Sequence, residues 1–113
     1  MRPKGIVLSG GPSSVTDREA PRCDPAIFDL GVPILGICYG MQIGCQILGG
    51  TVEAAEAREF GRTALRIEDA DDLLAGLPDR TSVWMSHGDQ VSGLEEGFEV
   101  LASSETCPHA AVR

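Results

Sequence analysis

A cysteine flanked by glycines is the first chemical signal in this sequence. In the stretch Gly36-Ile37-Cys38-Tyr39-Gly40 the two glycines stand two positions before and two positions after the thiol. The same spacing in G-x-S-x-G marks a nucleophile elbow, a strained turn from a strand into a helix. Glycine is needed there because neighbouring backbone packs closely around a residue in an unfavourable conformation. The pattern predicts that Cys38 is a nucleophile whose thiolate is favoured by the helix N-terminus. A buried cysteine at an ordinary strand-to-helix turn is the alternative.

A second glycine-rich turn follows an earlier apolar run. Gly5-Ile6-Val7-Leu8-Ser9 reads as a strand buried on both faces, and Gly10-Gly11-Pro12 ends it. If both strands are parallel, both turns lie at the same sheet edge, where open α/β sheets place their sites. The glycine N–H groups, with the N–H of Tyr39, are then candidates for holding a developing oxyanion. A Gly-Pro turn without function is the alternative. No GxxxxGK[ST] motif is present, so this is not a phosphate-binding loop.

A histidine stands in a third polar stretch, Met85-Ser86-His87-Gly88-Asp89, which we expect to be a loop that ends the short strand at residues 82–85. A histidine close to Cys38 in space would form a Cys–His catalytic pair. Alternatively, His87 satisfies local backbone groups while the loop contacts substrate through its main chain. The spacing in the sequence leaves both interpretations open.

The elements that would position these residues indicate an α/β fold. A strand, a helix and a second strand are predicted at residues 5–9, 25–30 and 32–37, and this order favours a right-handed crossover between parallel strands. A buried helix follows at residues 41–48. Beyond residue 50 the sequence becomes strand-rich, with short strands predicted at 51–52, 63–67, 82–85, 99–101 and 110–112, and a turn and helix start at 68–72.

Composition limits the function classes. The chain has 113 residues, 42% of them hydrophobic, and a net charge of -8. This length predicts a single domain at most. The acidic balance argues against nucleic-acid binding, and no apolar run is long enough to span a membrane. The four cysteines form no CxxC pair, so neither zinc nor another metal is expected. Without an export signal, we expect reduced thiols and a cytoplasmic location.

Together these motifs resemble one family. GIVLSGGP, GVPILGICYGMQ, LGG, REFG (residues 58–61), WMSHGD and CPHAAV are similar to the class I (triad-type) glutamine amidotransferase domains of GMP synthetases. The resemblance implies a flavodoxin-like open sheet with parallel core strands and a smaller strand-rich C-terminal part. It implies that Cys38 is the nucleophile and that Gly11 and Tyr39 form the oxyanion hole. It also implies that His87 is not the base. The residues expected to hold the glutamine substrate are Gln42, Ser86, His87, Gly88 and Asp89.

The resemblance also implies a pathway and a partner. Ammonia released from glutamine would convert XMP to GMP on an ATP-pyrophosphatase (synthetase) domain or subunit, which would use ATP and Mg²⁺, whereas no cofactor is expected in this domain. Members of the family have a strand and helix before the position of Met1 and a His-x-Glu pair beyond that of Arg113. We therefore expect residues 1–113 to form one partial domain that is inactive alone. Two alternatives stay open: the glutaminase of anthranilate, CTP or carbamoyl-phosphate synthesis, or a non-catalytic binding module.

Overall fold

Two parallel strands and one helix form the first part of the computed structural model, which describes residues 2–113 apart from the side chains of residues 57–59. Strand β1 (Ile6–Leu8) pairs in parallel with β2 (Ile34–Gly36). Between them lies a 3-10 helix at Pro25–Asp29, and helix α1 (Tyr39–Ile47) follows β2. These elements confirm the predicted strand, helix, strand and helix order of an α/β fold.

A four-stranded antiparallel sheet forms the second part, in the order β4-β3-β5-β6. The strands are β3 (Thr51–Ile67), β4 (Arg80–Gly93), β5 (Val100–Ser103) and β6 (Ala111–Val112), and a 3-10 helix lies at Asp72–Leu74. Strands β3 and β4 pair along most of their length, with an irregularity between Ala54 and Glu59. The strand-rich second part is therefore confirmed.

The two central strands are longer than predicted. The sequence suggested short strands at 51–52, 63–67 and 82–85 and a loop at 86–89, whereas residues 86–89 lie inside β4. In the first half of β4, exposed positions alternate with half-buried ones, and the exposed ones include Ser82, Trp84 and Ser86. Pairing with β3 holds this segment extended, because backbone hydrogen bonds need no apolar run along the strand.

The main hydrophobic core joins the two parts of the fold. Ile43 and Cys45 of α1 pack with Val52 of β3 and Val91 of β4, and with Val15 from the segment after β1. Val91 is fully buried. This core fixes the middle and C-terminal half of α1 against the C-terminal end of β4. It therefore determines the distance between the turn at residue 38 and the stretch 86–89.

The predicted burial of β1 on both faces is wrong for the described chain. Val7 is 63% exposed and Leu35, its neighbour on β2, is 41% exposed. Helix α1 contacts both strands, whereas Val7 and Leu35 line an open apolar groove. Among the described residues, no helix is long and apolar enough to cross a membrane.

Candidate active site

Cys38 occupies a strained turn between β2 and α1. Its backbone has φ 56° and ψ -114°, in a region that residues other than glycine rarely adopt. A residue held there costs about 1–3 kcal/mol and persists only when its surroundings enforce it. A Cβ on Gly36 would lie 2.8 Å from the backbone N and Cα of Met41, so glycine is required at that position. The strained turn predicted from the glycine spacing is therefore present, and it leaves Cys38 exposed.

The glycine turn after β1 lies beside this cysteine. The Ile37 N–H donates to the Leu8 carbonyl at 2.9 Å, which continues the pairing of β1 and β2 beyond their ends. A Cβ on Gly10 would lie 3.3 Å from the Cβ of Cys38 and 3.9 Å from its Sγ. A Cβ added to Gly11 would have no atom within 4 Å. Both turns thus meet at one sheet edge, as the parallel arrangement predicts.

An open cavity of about 490 Å³ lies at this edge. It is lined by Gly11, Pro12, Ser13, Ser14, Cys38, Gln42, Ala54, Ala55, Phe60, Ser86, His87, Gly88 and Asp89. Every residue predicted from the sequence to contact substrate is in this set. Tyr39 is buried instead, and its phenol donates to the Pro21 carbonyl at 2.5 Å. Its predicted contribution is its backbone N–H, at the start of α1.

Two hydrogen bonds connect the start of α1 to the 86–89 stretch of β4, and a third lies within that stretch. The Cys38 thiol donates to the Ser86 carbonyl at 3.8 Å. The side-chain amide of Gln42, which is buried, donates to the Asp89 carbonyl at 3.1 Å. Nδ1 of His87 lies 2.8 Å from the same carbonyl. The second histidine, His109, is bound through its Nδ1 to the Val91 carbonyl at 2.9 Å.

Ser14 is a site residue that the sequence analysis missed. Its hydroxyl donates to Oδ2 of Asp89, 75 positions along the chain. Ser14 lies in a segment without hydrophobic periodicity, so no pattern in the sequence singled it out. Phe60 of the REFG motif also lines the cavity, whereas the side chains of Arg58 and Glu59 lie outside the described residues.

The described part of the cavity wall carries one carboxylate and no lysine or arginine side chain. The carboxylate is that of Asp89. A ligand with a positively charged end is therefore favoured near Asp89. No group of three or more His, Cys, Asp or Glu side chains in the described part of the chain is arranged to hold a metal ion.

The other cysteines differ from Cys38 in their surroundings. Cys45 and Cys107 are buried, and burial raises the pKa of the Cys45 thiol. Cys23 is half-buried. An exposed thiol at a helix N-terminus is the chemically accessible one, since reaction requires both the thiolate and access to the reagent.

The fold that carries this site is shared with known proteins. The family model for class I glutamine amidotransferases matches residues 1–113, and the chain belongs to this family. A solved structure shares the fold. A glutamine amidotransferase from Thermotoga maritima superposes with a TM-score of 0.85 at 24% identity, over 97% of this chain and 51% of that one. At that identity the likeness shows the fold, which confirms the α/β prediction.

Closer relatives carry a more specific name. GMP synthase [glutamine-hydrolyzing] of Thermosynechococcus vestitus is 57% identical over 112 residues, which cover 99% of this chain and 21% of the relative. A crystal structure of a proposed GMP synthase subunit from Thermoplasma acidophilum has a TM-score of 0.82 at 33% identity, over 97% of this chain and 56% of that one. The chain thus spans about a fifth of the length of the curated relative.

Proposed function

We propose that this chain carries the glutaminase site of its family and that Cys38 attacks the side-chain amide of glutamine. The observation that supports this most strongly is the strained conformation of Cys38, with φ 56°, in the wall of the 490 Å³ cavity. Strain of this kind persists where function requires it. The cavity is within the range of volumes typical of small-molecule sites, about 300–1,000 Å³.

The chemistry proceeds in two steps. The Cys38 thiolate forms a bond to the carboxamide carbon, and the carbonyl oxygen becomes an oxyanion that accepts hydrogen bonds from the Gly11 and Tyr39 N–H groups. The C–N bond then breaks, nitrogen takes up a proton and ammonia leaves. Water attacks the resulting thioester, which releases glutamate and regenerates the thiol. The N-terminus of α1 favours the negative charge on Sγ between turnovers.

The 86–89 stretch of β4 holds the amino-acid end of the substrate. The Asp89 carboxylate attracts the α-ammonium group, because it is the only charged carboxylate among the described lining side chains. Gln42 fixes the main chain of Asp89 from the side of α1. The remaining contacts come from the backbone and side chains of Ser86, His87 and Gly88, which line the same cavity.

Proton transfer is not assigned to this chain's histidines. The family pattern places the general base in a His-x-Glu pair, and neither His87 nor His109 stands in such a pair. Each ring is instead fixed by a backbone carbonyl through its Nδ1. We therefore assign His87 to substrate contact or to local structure.

An affinity label tests the glutaminase proposal. A chloroketone analogue of L-glutamine should alkylate Cys38 faster than iodoacetamide does, because the analogue also occupies the amino-acid subsite. L-Glutamine should protect Cys38 from the label, and N-acetyl-L-glutamine, which lacks the ammonium charge, should protect it poorly. Equal protection by both compounds would argue against an amino-acid site, and labelling of another cysteine first would argue against Cys38. Either result would contradict the proposal.

We further propose that the ammonia is used for GMP synthesis. The 57% identity to GMP synthase of Thermosynechococcus vestitus supports this assignment over the other glutaminases. The partner would then be an ATP-pyrophosphatase domain or subunit that adenylylates XMP with ATP and Mg²⁺. We place the ATP on that partner rather than in this cavity, whose described lining side chains include no lysine or arginine. The four free thiols suit a reducing compartment, so we place the protein in the cytoplasm.

A nitrogen-source comparison tests the pathway assignment. When a synthetase domain or subunit is present, XMP should be converted to GMP with either glutamine or an ammonium salt as nitrogen donor. A Cys38→Ser change should abolish the reaction with glutamine and leave the reaction with ammonium intact. Loss of both reactions would show that Cys38 supports the fold or the partner contact rather than amide hydrolysis.

A further inference from the structure

We propose that Ser14 is a positioning residue that orients the Asp89 carboxylate for the α-ammonium group of the substrate, an inference that rests on the glutaminase site proposed above. Ser14 comes from the segment after β1, and Asp89 comes from β4. The hydroxyl of Ser14 donates to Oδ2 of Asp89, so the bond joins two segments of the cavity wall. Both residues are half-buried and both line the cavity.

Asp89 is held at both its main chain and its side chain. Its carbonyl accepts a hydrogen bond from Gln42 of α1 at 3.1 Å and lies 2.8 Å from Nδ1 of His87. These contacts fix the backbone but leave the side-chain rotation of an aspartate free. The hydrogen bond from Ser14 removes that freedom. Because a hydroxyl donates a single proton, it engages one carboxylate oxygen, and the second oxygen keeps its lone pairs for a ligand donor.

Orientation before binding increases affinity. A carboxylate that rotates among several rotamers must be immobilised when an ammonium group binds, and this ordering reduces the affinity. A carboxylate already fixed by Ser14 avoids that loss. The same hydrogen bond ties the segment that follows Gly11 to β4. The oxyanion turn and the amino-acid subsite are therefore held at a constant separation, which a substrate with two binding ends requires.

A purely local role for Ser14 makes a different prediction. The Ser14 hydroxyl also lies 2.8 Å from Oγ1 of Thr16 and accepts from the Thr16 N–H at 3.3 Å, so it could serve only to shape its own turn. Thr16 is exposed and is not among the residues that line the cavity. A Thr16→Val change therefore removes a partner of Ser14 within the turn but keeps the bond to Asp89, and it is the matched control.

The test compares two alkylating reagents on Cys38 in the full chain. Iodoacetamide has no amino-acid group and reports the reactivity of the thiol. The chloroketone analogue of L-glutamine reports the same thiol together with recognition of the amino-acid end. The ratio of the two second-order rate constants is measured by peptide mapping for the wild type and for the Ser14→Ala, Ser14→Thr and Thr16→Val variants.

We expect Ser14→Ala to lower the ratio about tenfold, the size typical of losing a hydrogen bond to a charged group. The iodoacetamide rate should change less than about twofold, the equivalent of about 0.5 kcal/mol, because this reagent has no ammonium group for Asp89 to bind. Ser14→Thr, which keeps the hydroxyl, and Thr16→Val should both retain a ratio close to that of the wild type.

Three results would overturn the proposal. In the first, Ser14→Ala leaves the ratio of the two rate constants unchanged. In the second, Thr16→Val lowers the ratio as much as Ser14→Ala does. In the third, Ser14→Ala slows both reagents equally, as a misfolded site would. These are distinct from failure of the glutaminase assignment. In that case the wild type itself would show no preference for the glutamine analogue, and both proposals would be wrong.

Discussion

A methyl group on Gly40 would lie 1.9 Å from the carbonyl oxygen of Leu8. The first turn of α1 therefore rests directly on the end of β1, with no room for a side chain between them. Cys38 lies two residues before Gly40, so this contact sets the position of the thiol relative to the glycine turn that follows β1. The glycine at position 40 is thus required by the packing of the site as well as by the turn.

Replacing Gly40 by alanine should destabilise the fold strongly. The new Cβ would overlap the backbone of β1, which cannot move as a flexible side chain can, and we expect a loss of about 3 kcal/mol or more. Gly11→Ala is the matched control, because no atom lies within 4 Å of the place its new Cβ would take; its stability should stay within about 0.5 kcal/mol of the wild type. Urea denaturation measures both. Equal stability of the two variants would contradict the close packing of α1 on β1.

The four cysteines should react in an order set by exposure. Cys38 is exposed, Cys23 is half-buried, and Cys45 and Cys107 are buried. Iodoacetamide near neutral pH should therefore modify Cys38 first and the two buried thiols only after unfolding. Mass spectrometry of digested samples taken over time gives the order. If the rapid phase of alkylation is lost in a Cys38→Ser variant, that phase belongs to Cys38. If the rapid phase persists in this variant, Cys38 is not the most reactive thiol.

The stability of the chain should fall at alkaline pH in part because of Cys45. Burial raises the pKa of this thiol, so the folded state keeps its proton at pH values where the unfolded state has lost it. The contribution of the Cys45 thiol to the free energy of unfolding is fully present below the pKa of the unfolded thiol. It is lost as the pH rises from that pKa through the higher pKa of the folded state, at up to about 1.4 kcal/mol per pH unit. Urea denaturation between pH 7 and pH 10 should show this decline.

A Cys45→Ala variant provides the comparison for that pH series. Other groups titrate in the same range, but they contribute equally to both proteins. The difference in unfolding free energy between wild type and variant should therefore shrink as the pH rises. A difference that stays constant would show that Cys45 does not titrate differently in the folded and unfolded states.

Replacing Gln42 should destabilise the fold more than replacing Gln46, which also lies on α1. The Gln42 amide is buried and ties α1 to Asp89, whereas Gln46 accepts an exposed hydrogen bond from Arg22 at 3.2 Å. Gln42→Met should cost about 1 kcal/mol, since the Asp89 carbonyl keeps its contact with His87. Gln46→Met should cost less than about 0.5 kcal/mol. Thermal denaturation ranks the two variants, and the reverse ranking would remove Gln42 from the support of the site.

The sequence by itself determined the parts of this protein that depend on near neighbours. The strained turn at Cys38 follows from two glycines within two residues of it, and the α/β arrangement of β1, β2 and α1 follows from apolar runs broken by turn residues. These signals are local, because backbone conformation and short-range packing depend on residues a few positions apart. Among the residues that line the cavity, Cys38 and Gly11 were predicted from local patterns, whereas the substrate contact of Gln42 was predicted through resemblance alone.

Only the tertiary structure decided which contacts form between residues that are far apart in the sequence. The continuous β3–β4 ladder exists because the two strands pair with each other, although neither has an unbroken apolar pattern. The open face at Val7 likewise depends on which segments lie over β1. The contact between Ser14 and Asp89 spans 75 positions, and neither residue stands in a pattern that points to the other. A hydrogen bond forms between groups that the fold brings within about 3 Å, and separation along the chain carries no information about that distance.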